Sequence, residues 1–122
     1  MIEYTIKQAF QIPHESNKQR LYAVITDKKG NIISEGSNTY SKSHPIQFYY
    51  AEKVGRGNAI FLHAEMNAIV RIIRSTNRRK PHSIYVARVN CKGEPVMAKP
   101  CEICEMAIEE AGIENVYYTT NS

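Results

Sequence analysis

No apolar run in these 122 residues is long enough to span a bilayer. The opening stretch, Met1 to Phe10, also lacks the apolar core that a secretory signal carries. Cysteine is scarce, at three residues, and an odd count argues against a disulfide scaffold and for a reducing, cytoplasmic setting. No linker, repeat or low-complexity tract divides the chain, and its length suits one domain with a real core but not two. A single domain over 1–122 is therefore expected. Strong charge is missing as well. A net +4 favours anionic ligands without choosing between nucleotides and polynucleotides. With 43% apolar and 23% charged residues, the composition is that of an ordinary globular protein.

What is present is an alternation of elements. Ile2, Ile6, Ala9 and Phe10 recur at helical spacing, which predicts a helix over 2–11 that stops before Pro13. Leu21–Thr26 and Ile32–Glu35 are β-prone runs around Lys28-Lys29-Gly30-Asn31, so they predict a hairpin. A long polar segment, 39–58, follows; such a connection is usually functional or partly ordered by its own helix. Phe61–Ser75 is expected to be a helix, apolar on most faces and buried between layers. Ile84–Val89 is a third strand, and 90–95 a turn-rich excursion. A helix over Cys101–Ala111 should end at Gly112, with Ile113 folding back on Ile108. Val116–Thr120 is a fourth strand. Together they predict an α/β layered sheet with helices on both faces.

Two stretches carry chemistry. His63-Ala64-Glu65 opens one predicted helix, and Pro100-Cys101-Glu102-Ile103-Cys104 opens the next. His-x-Glu alone arises often by chance, and Cys-x-x-Cys alone could be a redox pair or half of a structural metal site. In this order and with the proline, the two form a strong signal. One imidazole and two thiolates suit zinc and leave a fourth position open for water, the layout of a catalytic centre. Glu65 is then placed to move protons without binding the metal. A helix N-terminus under His63 and Glu65 favours negative charge there.

These residues resemble the cytidine and deoxycytidylate deaminase superfamily, over most of the chain from the hairpin to Tyr118. His63 as first ligand is similar to the deoxycytidylate and tRNA-adenosine branch. HAEMNAI (63–69) and PCEICEMAI followed by AGIENVYY (111–118) look most like deoxycytidylate deaminases, including those of phages. The tRNA adenosine deaminases usually carry a Gly-Ala pair soon after the second cysteine and a glycine-rich segment after the next strand, and neither is here. The resemblance implies a three-layer α/β/α fold with a central mixed sheet and helices on both faces. It implies hydrolytic deamination of a free cytosine nucleotide, dCMP to dUMP and ammonia, feeding dTTP synthesis. It also implies one zinc ion per chain, a homo-oligomer in the cytoplasm, and no membrane or nucleic-acid partner. His63, Cys101 and Cys104 would be the zinc ligands and Glu65 the proton shuttle. Ala64 would touch the substrate, and Asn38 would hold the sugar hydroxyl. In two respects the chain departs from the pattern. It stops after its fourth predicted strand, where the family commonly adds a fifth strand and a helix. Its Ser41–His44 segment does not match the glycine-rich loop of many deoxycytidylate deaminases.

Phosphate recognition therefore rests on residue chemistry, where Lys42 and His44 could form an anion clamp or simply a solvated loop before Pro45. Tyr49, Tyr50, Tyr117 and Tyr118 are candidate stacking partners for a base; core packing is the plainer account of any one, with Tyr117 or Tyr118 favoured near the motif. Arg71, Arg74, Arg78, Arg79 and Lys80 look like a nucleic-acid patch, but cations gather at helix C-termini for dipole reasons alone. Cys91 lies in a turn and is expected to be a spectator. Two rivals remain. A deaminase of single-stranded DNA or RNA (including tRNA) would need a basic, aromatic groove. A non-catalytic zinc module would have no use for Glu65.

Overall fold

A computed structural model of the chain describes residues 1–13, 19–39, 45–53, 55, 63–74 and 80–121. Helix α1 (Ile2–Gln11) forms where the spacing placed it, with Ile6 and Ala9 turned onto the sheet. Its last turn holds no basic residue. The buried Arg20 supplies that charge from outside: Nη1 donates to the carbonyls of Phe10 (3.2 Å) and Ile12 (3.4 Å), and Nη2 to that of Asn90 (2.7 Å). At its other end α1 is tied down by Tyr4, which donates to Glu35 Oε1 at 2.8 Å beside Tyr22 at 2.5 Å. The Glu35 hydrogen bond raises Tyr4 above the ordinary tyrosine range, and burial, then Glu35, raises Tyr22.

Strands β1 (Arg20–Thr26) and β2 (Ile32–Ser37) make the expected hairpin. Asp27 Oδ1 accepts from the amides of Lys29 and Asn31, both at 2.9 Å, and Gly30 takes the left-handed position at φ +87°. The same turn recurs where only an excursion was expected. Strand β3 (Ser83–Val89) returns as β4 (Pro95–Val96) through Asn90-Cys91-Lys92-Gly93-Glu94. There Asn90 Oδ1 accepts from the amides of Lys92 (3.0 Å) and Glu94 (2.9 Å), with Gly93 at φ +79°. A shared Asx-x-Lys-Gly pattern thus builds both hairpins.

The sheet runs β2-β1-β3, all antiparallel, and the far edge of β3 carries two strands. Strand β4 lies antiparallel against Arg88 and Val89, and β5 (Asn115–Tyr118) lies parallel against Ser83 to Val86. Side chains alternate across this mixed sheet. Tyr22, Ala87 and Val89 meet α1 on one face, while Ala23, Ile25, Ile84 and Val86 build the main core on the other. That second face is covered by α2 (Pro45–Lys53), α3 (Ala64–Arg74) and α4 (Glu102–Glu110). The three-layer α/β/α architecture is the one expected. Among the described residues no helix is long and apolar enough to cross a membrane.

The long helix differs from its expected span. Helix α3 starts at Ala64 with His63 just before it; residues 61, 62 and 75 lie outside the described part. Nor is every apolar residue on it buried between layers, for Ile73 is 64% exposed. Two contacts seat α3 on β2: Ser34 Oγ donates to the Ala68 carbonyl at 2.6 Å, and Asn67 Nδ2 to the Ser37 carbonyl at 2.9 Å. Gly36 makes the approach possible, since a Cβ there would stand 2.8 Å from Asn67 Nδ2 and 2.9 Å from its Cγ. Gly36→Ala is therefore expected to cost ~1–3 kcal/mol of stability, as overpacking does. A shift of the denaturant midpoint at unchanged slope checks this, and an unchanged midpoint would refute the close approach. Helix α4 ends as a Schellman motif: Ile113 N donates to Ile108 O (3.2 Å), Gly112 N to Glu109 O (3.0 Å), and Gly112 has φ +79°.

Candidate active site

The sheet brings the starts of α3 and α4 together. His63 immediately precedes α3, and its carbonyl accepts the first helical bond from Asn67 N at 2.8 Å. Cys101 is the N-cap of α4 in an extended conformation, φ −73° and ψ 171°, and Cys104 lies buried one turn on. Pro100 ahead of Cys101 has a fixed φ, so the cysteine pair enters the helix on stiff backbone.

His63 Nδ1 is 3.6 Å from Cys101 Sγ and 3.4 Å from Cys104 Sγ. All three donor atoms lie within 4.8 Å of one another. A tetrahedral zinc with its usual bond lengths would place an imidazole nitrogen and a thiolate sulfur ~3.6 Å apart. The separations and the soft donor set both fit that ion. Burial is graded, with Cys104 buried and His63 and Cys101 half-buried, so one side of the cluster faces outward. Cys91 is exposed at the tip of the second hairpin and is not in the cluster. Cys91→Ser is expected to leave the zinc content unchanged by elemental analysis; lost zinc would mean a different sulfur set.

The thiols are electrostatically unequal. A hydrogen bond from Cys104 lowers Cys101 to about 3 against the opposing effect of burial, with His63 assisting. Its bond to Cys101 and its own burial raise Cys104 well above the ordinary thiol range. A cation between them would favour the thiolate form of both. Glu65 is 4% exposed in the first turn of α3. Burial raises its carboxyl, and its own helix amide and His63 only partly offset that. It stands beside the cysteines yet outside the donor cluster.

The other expected residues divide. Ala64, fully buried, is the first residue of α3, in the turn whose amides have no partner inside the helix. Asn38 follows β2 directly, but both ends of its amide hold the start of β1: Oδ1 accepts from Leu21 N (3.1 Å) and Nδ2 donates to Gln19 O (3.2 Å). Lys42 and His44 lie outside the described residues. Tyr118 lines a cavity of about 330 Å3 with Lys99, Pro100, Glu105, Ile113 and Val116, and no residue of the His63–Cys101–Cys104 cluster lines it, nor does Glu65. Tyr117 stacks on Tyr85 with centroids 4.9 Å apart on the α1 face, away from the centre. Tyr49 packs edge-on to Tyr50 and under Lys53 Nζ. Sequence reasoning missed Asn67, whose side chain fixes α3 to β2 one turn after His63. Its trace in the sequence is a polar residue four positions after His63, between the buried Met66 and Ala68.

The description "cytidine and deoxycytidylate deaminase zinc-binding region" belongs to a family model that matches residues 1–120. The chain belongs to this family. By class it is a zinc-type hydrolytic deaminase. Among solved structures it is similar to the dCMP deaminase of the cyanophage S-TIM5. The apo form is 25% identical over 96% of this chain and 80% of that one, with a TM-score of 0.60. The complex of that enzyme with dCMP and dUMP is 25% identical over 95% and 78%, with a TM-score of 0.58. The cytidine deaminase of Mycobacterium tuberculosis shares the fold at 16% identity over 99% and 86%, with a TM-score of 0.56. No curated protein matches the chain.

Proposed function

We propose that residues 1–122 form one deaminase domain that converts a free cytosine nucleotide, dCMP, to dUMP, consuming water and releasing ammonia. The observation that carries this is Glu65, a buried carboxyl beside a three-donor cluster that it does not join. His63, Cys101 and Cys104 would hold one zinc ion. Bound there, zinc supplies the Lewis acidity that makes water a nucleophile at neutral pH. Glu65 would take one proton from that water and deliver it to the ring nitrogen, where it stays, then carry the second, from the added hydroxyl, to the amino group as it leaves. Oxygen replaces nitrogen at the ring carbon, and the nitrogen departs as ammonia. Burial shields the Glu65 carboxyl from water and raises its pKa above the ordinary carboxylate range, the direction that suits a general acid–base.

Ala64 offers a helix-start amide to the base. Asn38, held rigid by its bonds to β1, is proposed to meet the sugar hydroxyl with its remaining hydrogen-bonding capacity. Lys42 and His44 are proposed for the phosphate. The likeness to a phage dCMP deaminase solved with dCMP and dUMP supports this substrate class. A cytoplasmic homo-oligomer belongs to the same proposal, and three free thiols suit that compartment.

A panel of cytidine, deoxycytidine, dCMP, dCTP, AMP and short oligonucleotides, read by ammonia release, tests the proposal. Two charge-assisted bonds to phosphate at ~1.5 kcal/mol each predict ~10²-fold higher kcat/KM for dCMP than for deoxycytidine. Lys42→Ala or His44→Ala should shrink that ratio. Reaction of oligonucleotides without reaction of mononucleotides would refute the free-nucleotide reading.

A further inference from the structure

Two strands of opposite direction share one edge of β3, and the fork between them has to be filled. Strand β4 takes Arg88 and Val89, and β5 takes Ser83 to Val86. Where the two part, ladder groups would be left unpaired in a buried place, which folded chains avoid. Thr119 is 6% exposed and meets four of them. Its amide donates to Val86 O at 3.1 Å, and its carbonyl accepts from Ala98 N at 2.9 Å. Its hydroxyl accepts from Arg88 N at 3.1 Å and donates to Val96 O at 2.6 Å. Two residues on, Asn121 Oδ1 accepts from Met97 N at 2.9 Å.

Residues 96–98 are thus fastened to 119–121 as well as to β3. They lead through Lys99 and the stiff Pro100 straight to Cys101. Cys104 has a separate anchorage, inside α4 among the buried Ile103, Ala107 and Ile108. Cys104 is therefore placed by α4 alone, whereas Cys101, the cap of α4 whose carbonyl accepts from Glu105 N at 2.8 Å, is placed by α4 and by the fastened approach over 96–100 together. We infer that Thr119 is the positioning residue for Cys101, holding its sulfur at the right distance from His63 while α4 holds Cys104. This rests on the proposal that Cys101 is a zinc ligand.

Valine at this position keeps the shape but leaves the Arg88 amide and the Val96 carbonyl facing a methyl group. Serine keeps the hydroxyl and loses only a methyl. The experiment compares zinc release to a chromophoric chelator, and the thiolate-to-cobalt absorption of the cobalt(II)-substituted protein, in wild type, Thr119→Val, Thr119→Ser and Tyr22→Phe. Thr119→Val is expected to release zinc ~10–100-fold faster, the usual effect of losing a supporting hydrogen bond around a metal site, and to alter the cobalt spectrum. Thr119→Ser should match wild type in both. Tyr22→Phe, which removes a bond on the opposite sheet face, should lose stability without changing either readout.

Wild-type release and spectrum in Thr119→Val would overturn the inference, as would equally fast release from Tyr22→Phe. If Thr119→Val does not fold, Asn121→Ala, which cuts only the Met97 tie, should still quicken release, and an unchanged rate there would overturn it. Failure of the underlying reading has a different sign: Cys101→Ala would then keep the wild-type cobalt spectrum.

Discussion

Glu65→Gln is expected to keep zinc, fold and much of its substrate binding while its rate falls by ~10²–10⁴-fold, the usual worth of a general acid–base. Adding water across the C–N bond needs one proton at the ring nitrogen and another at the departing amine. An amide preserves the size and hydrogen bonding of the side chain but cannot carry those protons. Because Glu65 lies outside the donor cluster, its exchange leaves all three donors in place. The loss should fall on kcat, as when an interaction made only in the transition state is removed. Near wild-type turnover would refute Glu65 as the shuttle. Loss of zinc would instead make it a structural member of the site.

Cys101→Ala and Cys104→Ala should each lose the metal and the stability linked to it. Either change leaves one thiol and one imidazole, too few to hold zinc against a chelator. An ion present at a hundred times its Kd stabilises a fold by ~2.7 kcal/mol, so at least that much should vanish. The structure adds a distinction between the two. Cys104 is fully buried in α4, so its loss also leaves a small void, whereas Cys101 is a half-buried N-cap. Cys104→Ala should therefore melt lower than Cys101→Ala even with chelator present. Chelator should lower the wild-type melting temperature and leave both variants unmoved. Full zinc occupancy in Cys104→Ala would remove it from the ligand set.

How far the chain could be read in advance depended on how local each feature is. The spacing of Ile2, Ile6 and Ala9 fixed α1 to the residue, and Gly112 with Ile113 foretold the end of α4, because both are set within a turn or two. The grouping of His63, Cys101 and Cys104 was legible too, since each stretch presents its donors at a helix start by its own spacing. Helix α2 was not: Ile46 and Tyr50 keep the spacing of one face, but the unbroken apolar run 48–51 goes all round and blurs it, and packing of Ile46, Tyr50 and Ala51 on the core selects the face. Strand β4 is two residues long, too short for any pattern, although the Asn90–Gly93 turn repeated Asp27–Gly30 and could have announced it. The placement of Tyr117 depended on a single step of β5 register, which turns it to the α1 face and Tyr118 to the core. Asn38 and Thr119 are small polar residues whose partners are 17 and 31 residues away. Nothing in a linear reading distinguishes them from ordinary strand ends.

The account stands most directly on a zinc titration of metal-free protein, read by ammonia released from dCMP. The rate should rise in proportion to added zinc and break sharply at one ion per chain, with one dUMP formed for each ammonia. Zinc that binds at that stoichiometry without releasing ammonia, or ammonia release that does not depend on zinc, would contradict it.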